Sequence, residues 1–413
     1  MPRTIFHLDM DAFFVSVEEL FDPSLIGQAV VVGGRSTDRG VVSAASYEAR
    51  KFGVHSAMPL RTAAKLCPHA IFLEGRRERY TDCSRQVEKV LRDFSPQVAM
   101  ASIDEAYLEV SGTERLHGPP LQAAHKLHEA IARETRLKCS IGIATSRLVA
   151  KVASDQAKRN GILWVLPGTE AECLAPLEIR RIPGIGKVTE ENLHKLGIRK
   201  VGDLAALDEK ILRARFGQFG LALAGKARGE DAGGWFDGVI GEHEDPKSIS
   251  HEHTFDVDTA DRAMLESTLA KLSEMVSKRL RDHHLFTRTI QLKLRYHDFA
   301  TITRAHTIDH ATQIDQDLIH ESRQLFRANW QPGRKVRLLG VQAGQLTAAE
   351  GQLDLLGGEQ NEKLKRAWSA VDRMREKFGD ATIALASGMQ GNFKRRVHDA
   401  LEHGDQPPVK KNS

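Results

Sequence analysis

Three acids in two short, largely apolar segments are the residues best suited to do chemistry: Asp9 within residues 4–11, and Asp104 with Glu105 within 102–110. Two Mg²⁺ ions held side by side can ionise a hydroxyl near neutral pH and neutralise a departing pyrophosphate, which are the two needs of nucleotidyl transfer. Mg²⁺ takes hard oxygen ligands and keeps several waters, so two or three carboxylates plus substrate phosphates suffice to bind it. Neighbouring residues on a flat strand point to opposite faces, so Asp104 and Glu105 can serve one site only if the chain bends between them. Taken alone, acids at strand edges are usually solvated, and that reading stays open on pattern.

The elements that must position these acids can be read from periodicity. Residues 4–11 alternate, with Phe6, Leu8 and Met10 on one side and Ile5, His7, Asp9 and Asp11 on the other, which predicts a half-buried strand. A valine-rich strand at 29–33, helical spacing at 47–52 and 60–66, and a charged helix at 76–94 precede the second acidic strand at 102–110. A helix opened by Gly118-Pro119-Pro120 and running to 137, a strand at 139–144 and a helix at 149–158 stopped by Asn160-Gly161 complete an α+β sheet domain. Short glycine-broken helices fill 176–228, and a glycine-rich stretch at 231–250 reads as a linker. A further α/β segment spans 247–346, with helices at 262–283 and 314–328 and strands at 287–296 and 301–307. A helix at 363–378 and a polar, disordered tail are expected beyond it.

Composition narrows the class. A chain of 413 residues is long enough for two to four domains, and 41% hydrophobic with 28% charged residues is ordinary globular composition. No apolar run is long enough to span a membrane, and Asp9 and Asp11 interrupt the place where a signal peptide needs its apolar core, so a soluble, cytoplasmic protein is expected. Cys67, Cys83, Cys139 and Cys173 are far apart and are read as small buried or half-buried side chains. His251/His253 and His283/His284 lack further ligands at metal spacing. A net charge of +4 does not establish a nucleic-acid partner, but seven basic residues against two acidic ones between Lys278 and Arg304 mark a local basic run.

The segments HLDMDAFFVSVE, VVSAASYEARKFGVHSAMP and SIDEAYLEV, in this order, resemble the signature segments of the Y-family DNA polymerases of the translesion type, on their bacterial branch. The resemblance continues through IPGIGKVT, KSISHEHTF, LRYHDFATITR and RLLGVQAGQL, and so covers about residues 3–346. It implies a multi-domain right-hand fold of class α+β. The palm would comprise 1–10 and 74–165, the fingers 11–73, a helix-hairpin-helix thumb 166–235, a linker 236–246 and a little finger 247–346, with a clamp-docking segment, helix and tail at 347–413.

Carried over by position, the resemblance makes Asp9, Asp104 and Glu105 the catalytic carboxylates, with the backbone carbonyl of Met10 as a further ligand of two Mg²⁺ ions for which Mn²⁺ can substitute. Asp11 has a structural role. Phe13 and Phe14 adjoin the incoming dNTP, and Phe14, under its sugar, is the steric gate against a 2′-hydroxyl. Tyr47, Arg50 and Lys158 contact the triphosphate, arginine as a planar fork and lysine as a point charge. Ala44 stands where the family often has threonine, so one hydroxyl contact to phosphate is missing.

Gly184, Gly186 and Lys187 fall in the glycine turn of the hairpin, where backbone N–H groups can meet a DNA phosphate without reading sequence. Arg295 and Arg304 lie on little-finger strands and are expected on template or primer phosphates. Gln352, Leu353, Leu355 and Leu356 resemble the short peptide that docks on the bacterial sliding clamp, with Leu356 where phenylalanine is common. The implied activity is primer extension by dNTP on template DNA, with low fidelity and tolerance of damage, by a monomer without membrane contact. The alternative is a catalytically silent DNA- and clamp-binding accessory protein on the same fold; such relatives lose the metal carboxylates, and all three are present here.

Overall fold

The computed structural model describes residues 2–348, other than 234, 235, 237, 243 and 244, and residues 367–378, other than 369, 375 and 376. The chain divides into two compact units, Met1–His243 and Glu244–Ser413.

In the first unit, β1 (Ile5–Met10) leads through Ala12, held in the left-handed region at φ 45°, into α1 (Phe13–Phe21). β2 (Val30–Val32), β3 (Ala44–Ala45), α2 (Tyr47–Arg50), α3 (Leu60–Leu66) and β4 (Ile71–Leu73) follow, the strands pairing in the order β3-β2-β4. α4 (Arg77–Phe94) is charged overall but buries Tyr80, Cys83, Val87 and Leu91 at helical spacing, which fixes its inner face. β5 (Val98–Met100), β6 (Glu105–Glu109), α5 (Glu114–His117), α6 (Pro120–Thr135), β7 (Cys139–Ala144), α7 (Arg147–Gln156) and β8 (Ile162–Trp164) complete a sheet of order β5-β6-β1-β7-β8.

The expectation of a half-buried first strand is corrected: all six residues of β1 are buried, polar His7 and Asp9 included. β1 is the central strand, and α7 covers the face that carries His7 and Asp9 while α6 packs on the sheet from the other side. Alternation still sorts the side chains between faces, but neither face is wet.

α8 (Glu170–Leu174), α9 (Lys187–His194), α10 (Val201–Ala205), α11 (Glu209–Phe216) and α12 (Gln218–Ala227) form a helical lobe. Its apolar core, with Leu174, Ile182, Leu193, Leu204 and Leu223, is continuous with Leu148 and Val152 of α7.

The second unit is a four-stranded antiparallel sheet with two helices: β9 (Ile249–Thr259), α13 (Arg262–Asp282), β10 (Phe286–Tyr296), β11 (Thr301–Thr312), α14 (Asp315–Asn329) and β12 (Val336–Thr347), the strands ordered β11-β10-β12-β9. Ile290, Leu292 and Leu294 alternate into a core shared with Leu269, Val276 and Phe326 of the helices. Within this unit Arg281 forms ion pairs with Asp315 (2.6 Å) and Asp372 (2.6 Å). Of the helix expected over 363–378, the described residues are helical.

Candidate active site

The acids meet at one end of the large sheet because the strands pair in register. Asp9 is opposite Glu105 on β6 and Ser140 on β7, and the Met10 amide donates to the Asp104 carbonyl at 2.9 Å. The bend needed before β6 is made by Ser102. Its Oγ accepts from the amides of Asp104 (3.2 Å) and Glu105 (3.0 Å), and the Glu105 carbonyl accepts from the amides of Ala101 and Ser102. The same hydroxyl donates to Asp104 Oδ1 at 2.5 Å.

Each remaining acid is turned to a lysine. Lys158 Nζ lies 2.5 Å from Asp9 Oδ1 and 3.4 Å from Asp11 Oδ1, and Lys151 Nζ lies 2.5 Å from Glu105 Oε2. Burial, with Glu105 and Asp104 alongside, pushes the Asp9 carboxyl up to about 7 against the pull of Lys158. Burial also raises Asp104 despite the Ser102 hydroxyl. Burial works to raise Glu105 too, but His7 and Lys151 outweigh it and hold this carboxyl down at about 2. Burial lowers the pKa of His7 itself, so at neutral pH the lysine is the charged partner.

Asp11 is a scaffold acid, accepting from Tyr47 Oη (3.2 Å), Ser140 Oγ (3.0 Å) and the Asn160 amide (2.5 Å). It ties α2 and the turn after α7 to β1. That turn passes through positive φ at Arg159 and Asn160. It brings the Arg159 guanidinium to 4.6 Å from the Tyr47 ring centre, beside Arg50 at 4.9 Å. Tyr47, Arg50 and Lys158 are thus brought together, with Arg159 as a fourth member that sequence reasoning missed. Arg50 Nε donates to the Ala45 carbonyl at 3.0 Å, holding it across the β3–α2 turn.

Phe14 is 8% exposed and stacks on Tyr80 of α4 with ring centres 4.4 Å apart; Tyr80 Oη donates to Glu18 Oε1 at 2.7 Å. Phe13 is buried, 5.7 Å from Phe14.

Among the described residues no three acidic, histidine or cysteine side chains converge closely enough to enclose a metal ion. The donor set nevertheless suits a hard divalent cation: three carboxylates on adjoining strand ends, two of them raised in pKa by burial and by the neighbouring acids. Lys158 is singled out in the sequence as a phosphate contact but Lys151 is not; Lys151 and Ser154 share one face of α7, and Lys158 lies in the turn after it.

Gly184 adopts φ +94°, Gly186 caps α9 and Lys187 begins it, while Lys226 Nζ donates to the Pro183 carbonyl at 3.1 Å. Arg295 and Arg304 are not brought to one surface. Arg304 is opposite Leu292, whose side chain is in the core, and so lies on the helix side, where it donates to Asn329 Oδ1 at 3.1 Å. Arg295 is opposite Thr301 on the other face. The basic run is likewise no single surface, with Lys278 paired to Asp282, Lys293 to Glu252 and Arg281 to Asp315. Gln352, Leu353, Leu355 and Leu356 lie outside the described residues.

Comparison with known proteins defines the class. The impB/mucB/samB family profile matches residues 8–155, that family's C-terminal domain matches 246–355, and its helix-hairpin-helix motif matches 167–198. A DNA polymerase IV of Dehalococcoides mccartyi strain CBDB1 is 41% identical over 382 residues, 92% of this chain and 96% of that one. A DNA polymerase IV of Methanoculleus marisnigri is 42% identical over 347 residues, 83% and 94% of the two chains. Among solved structures, a Y-family DNA polymerase chimera superposes with TM-score 0.71 at 26% identity, over 84% of this chain and 100% of that one. An insertion ternary complex of Dbh DNA polymerase gives 0.55 at 26% identity, over 83% and 98%. The fold is that of a DNA-directed DNA polymerase. The chain belongs to the Y family of these enzymes, and family membership carries with it dependence on a divalent metal ion.

Proposed function

We propose that the enzyme extends a primer 3′ end with dNTPs on a DNA template, as a monomer in the cytoplasm, through a two-ion centre held by Asp9, Asp104, Glu105 and the Met10 carbonyl. Two Mg²⁺ ions, replaceable by Mn²⁺, supply there the lowered hydroxyl pKa and the charge neutralisation that nucleotidyl transfer requires. The observation that carries this reading is the register that sets Asp9 against Glu105 while Met10 bonds to Asp104.

Tyr47, Arg50, Lys158 and Arg159 then form a cationic cradle for the triphosphate, with Ala44 contributing no hydroxyl. Phe13 and Phe14 adjoin the nucleotide, and Phe14, braced by Tyr80, limits the space at the sugar. In this reading 1–10 and 74–165 are palm, 11–73 fingers, 166–235 thumb, 236–246 linker and 247–346 little finger. Gly184, Gly186, Lys187 and Arg295 meet DNA phosphates, and Gln352, Leu353, Leu355 and Leu356 dock on the sliding clamp. Fingers of only three short strands and a few helical turns enclose the nascent pair loosely, which suits translesion synthesis at low fidelity in DNA repair.

Primer extension on undamaged and damaged templates tests the reading. Asp104→Ala should reduce elongation by about a thousandfold or more, the worth of several kcal/mol of charge stabilisation, while leaving primer-template affinity within a few-fold. Elongation that survives this substitution would remove Asp104 from the centre.

A further inference from the structure

Helix α7 lies directly on the sheet where β7 has Gly142. A β-carbon there would collide with the Ala150 carbonyl and the Ser154 amide, so only glycine lets the helix come this close. The contact sets one stripe of the helix and the turn beyond it over the acids. Lys151 reaches Glu105, Ser154 reaches His7, and Lys158 reaches Asp9 and Asp11.

The Ser154 hydroxyl donates to the Lys151 carbonyl at 2.8 Å, so its oxygen accepts from His7 Nδ1–H at 2.6 Å. His7 Nε2 lies 3.7 Å from Glu105 Oε2, beyond hydrogen-bond range. The ring therefore braces the position beside the acid, and Lys151, at 2.5 Å, is its close charged partner. Both lysines are largely shielded from solvent, with side chains 23% and 26% exposed. Two ammonium groups thus occupy the acids that the proposed function assigns to two dications, and a buried carboxylate stripped of its partner is costly.

We propose that Lys151 and Lys158 are the resident counter-ions of this acid cluster, exchanged for divalent cations on metal binding, so that the same event frees Lys158 for the triphosphate. The inference rests on the metal-site reading above. It makes the nucleotide cradle incomplete until metal arrives, since Lys158 cannot pair with Asp9 and a phosphate at full strength at once. Metal and nucleotide affinities are then coupled, each strengthening the other.

Two measurements test it, neither of them activity. In Mn²⁺ titrations followed by electron paramagnetic resonance, without DNA or nucleotide, Lys151→Met should bind Mn²⁺ about tenfold more tightly than the wild type, because a competitor is gone. Lys151→Arg should bind as the wild type does. Unchanged or weaker binding in Lys151→Met overturns the exchange. Wild-type Mn²⁺ binding that is indifferent to Glu105→Gln would instead sink the metal-site reading beneath it.

The second measurement is made in EDTA with inorganic tripolyphosphate as the probe, and it stands even if Lys151→Met fails to fold. Asp9→Asn should tighten tripolyphosphate binding about tenfold by releasing Lys158. The gain should vanish when Lys158→Met is added. An equal gain in both backgrounds would reduce the effect to loss of a negative charge and overturn the proposed release.

Discussion

A buried carboxylate whose pKa is far from its ordinary value makes stability depend on pH, and the acids at the sheet end pull in opposite directions. Asp9 titrates near 3.8 when unfolded and at about 7 when folded. Between those values the unfolded chain has lost a proton that the folded chain keeps, so the stability contributed by Asp9 falls as pH rises through this window. Glu105 behaves oppositely: held at about 2 against an ordinary 4.5, it contributes stability above 4.5 that is lost as pH falls toward 2. In EDTA, Asp9→Asn should therefore flatten the pH dependence of thermal melting between about 4 and 7 and raise the melting temperature at pH 8 by a few degrees. A melting profile parallel to that of the wild type would mean that Asp9 is ionised throughout. Phe14 supports a separate expectation. Phe14→Ala should lower discrimination against rNTPs on the order of a hundredfold, measured by competing dATP and ATP in single-nucleotide insertion. It should also cost about 3 kcal/mol of stability through the cavity left against Tyr80. An unchanged sugar preference would refute the gate. The acids and Phe14 were legible as residue types. Lys151, His7 and Arg159 were not singled out, because a lysine in a helix or a histidine in a strand has many ordinary reasons to be there, and only tertiary pairing selects among them.

Long, strongly periodic elements were the readable ones. The helix expected at 262–283 is α13, which stops one residue earlier, and the strand expected at 139–144 is β7 to the residue. Three-residue strands such as β5 and β8 carry too few positions to show a period, and they exist because β6 and β7 offer them edges. β9 and β12 were also missed as strands. β12 is buried on both faces for much of its length, so its polar and apolar positions do not alternate cleanly. Register, also invisible in the sequence, decides which basic residues share a surface. Arg295 projects from the face away from the helices, whereas Arg304 is tied to Asn329 on the helix side. In primer-template binding measured across a salt series, Arg295→Ala should weaken affinity and lower the magnitude of the salt slope by about 1, the signature of one lost phosphate contact. Arg304→Ala should stay within about twofold of the wild type with the slope intact. Equal losses from both would mean that DNA wraps the sheet edge and does not lie on one face.

At the scale of the whole chain, the second of the two compact units, Glu244–Ser413, includes a segment beyond its last strand whose composition, and not its geometry, carries the functional argument. A polymerase that encloses its substrate loosely gains little residence time from its own contacts, so extended synthesis needs a tether. Anchoring to a ring that already encircles the duplex raises the local concentration of the enzyme at the primer end to about the millimolar range without improving any contact at the active site. Gln352 and the leucines at 353, 355 and 356 have the chemistry for such an anchor, a polar group that fixes register and apolar side chains that fill a pocket, immediately after the last strand of the second unit. Replacing Gln352 and Leu355 with alanine should weaken clamp affinity by about 2 kcal/mol or more, roughly thirtyfold. Clamp-stimulated extension would then fall to the clamp-free rate, while clamp-free extension stays as it was. Loss of both activities would assign the motif to folding of the second unit, because a tether acts only when there is something to be tethered to.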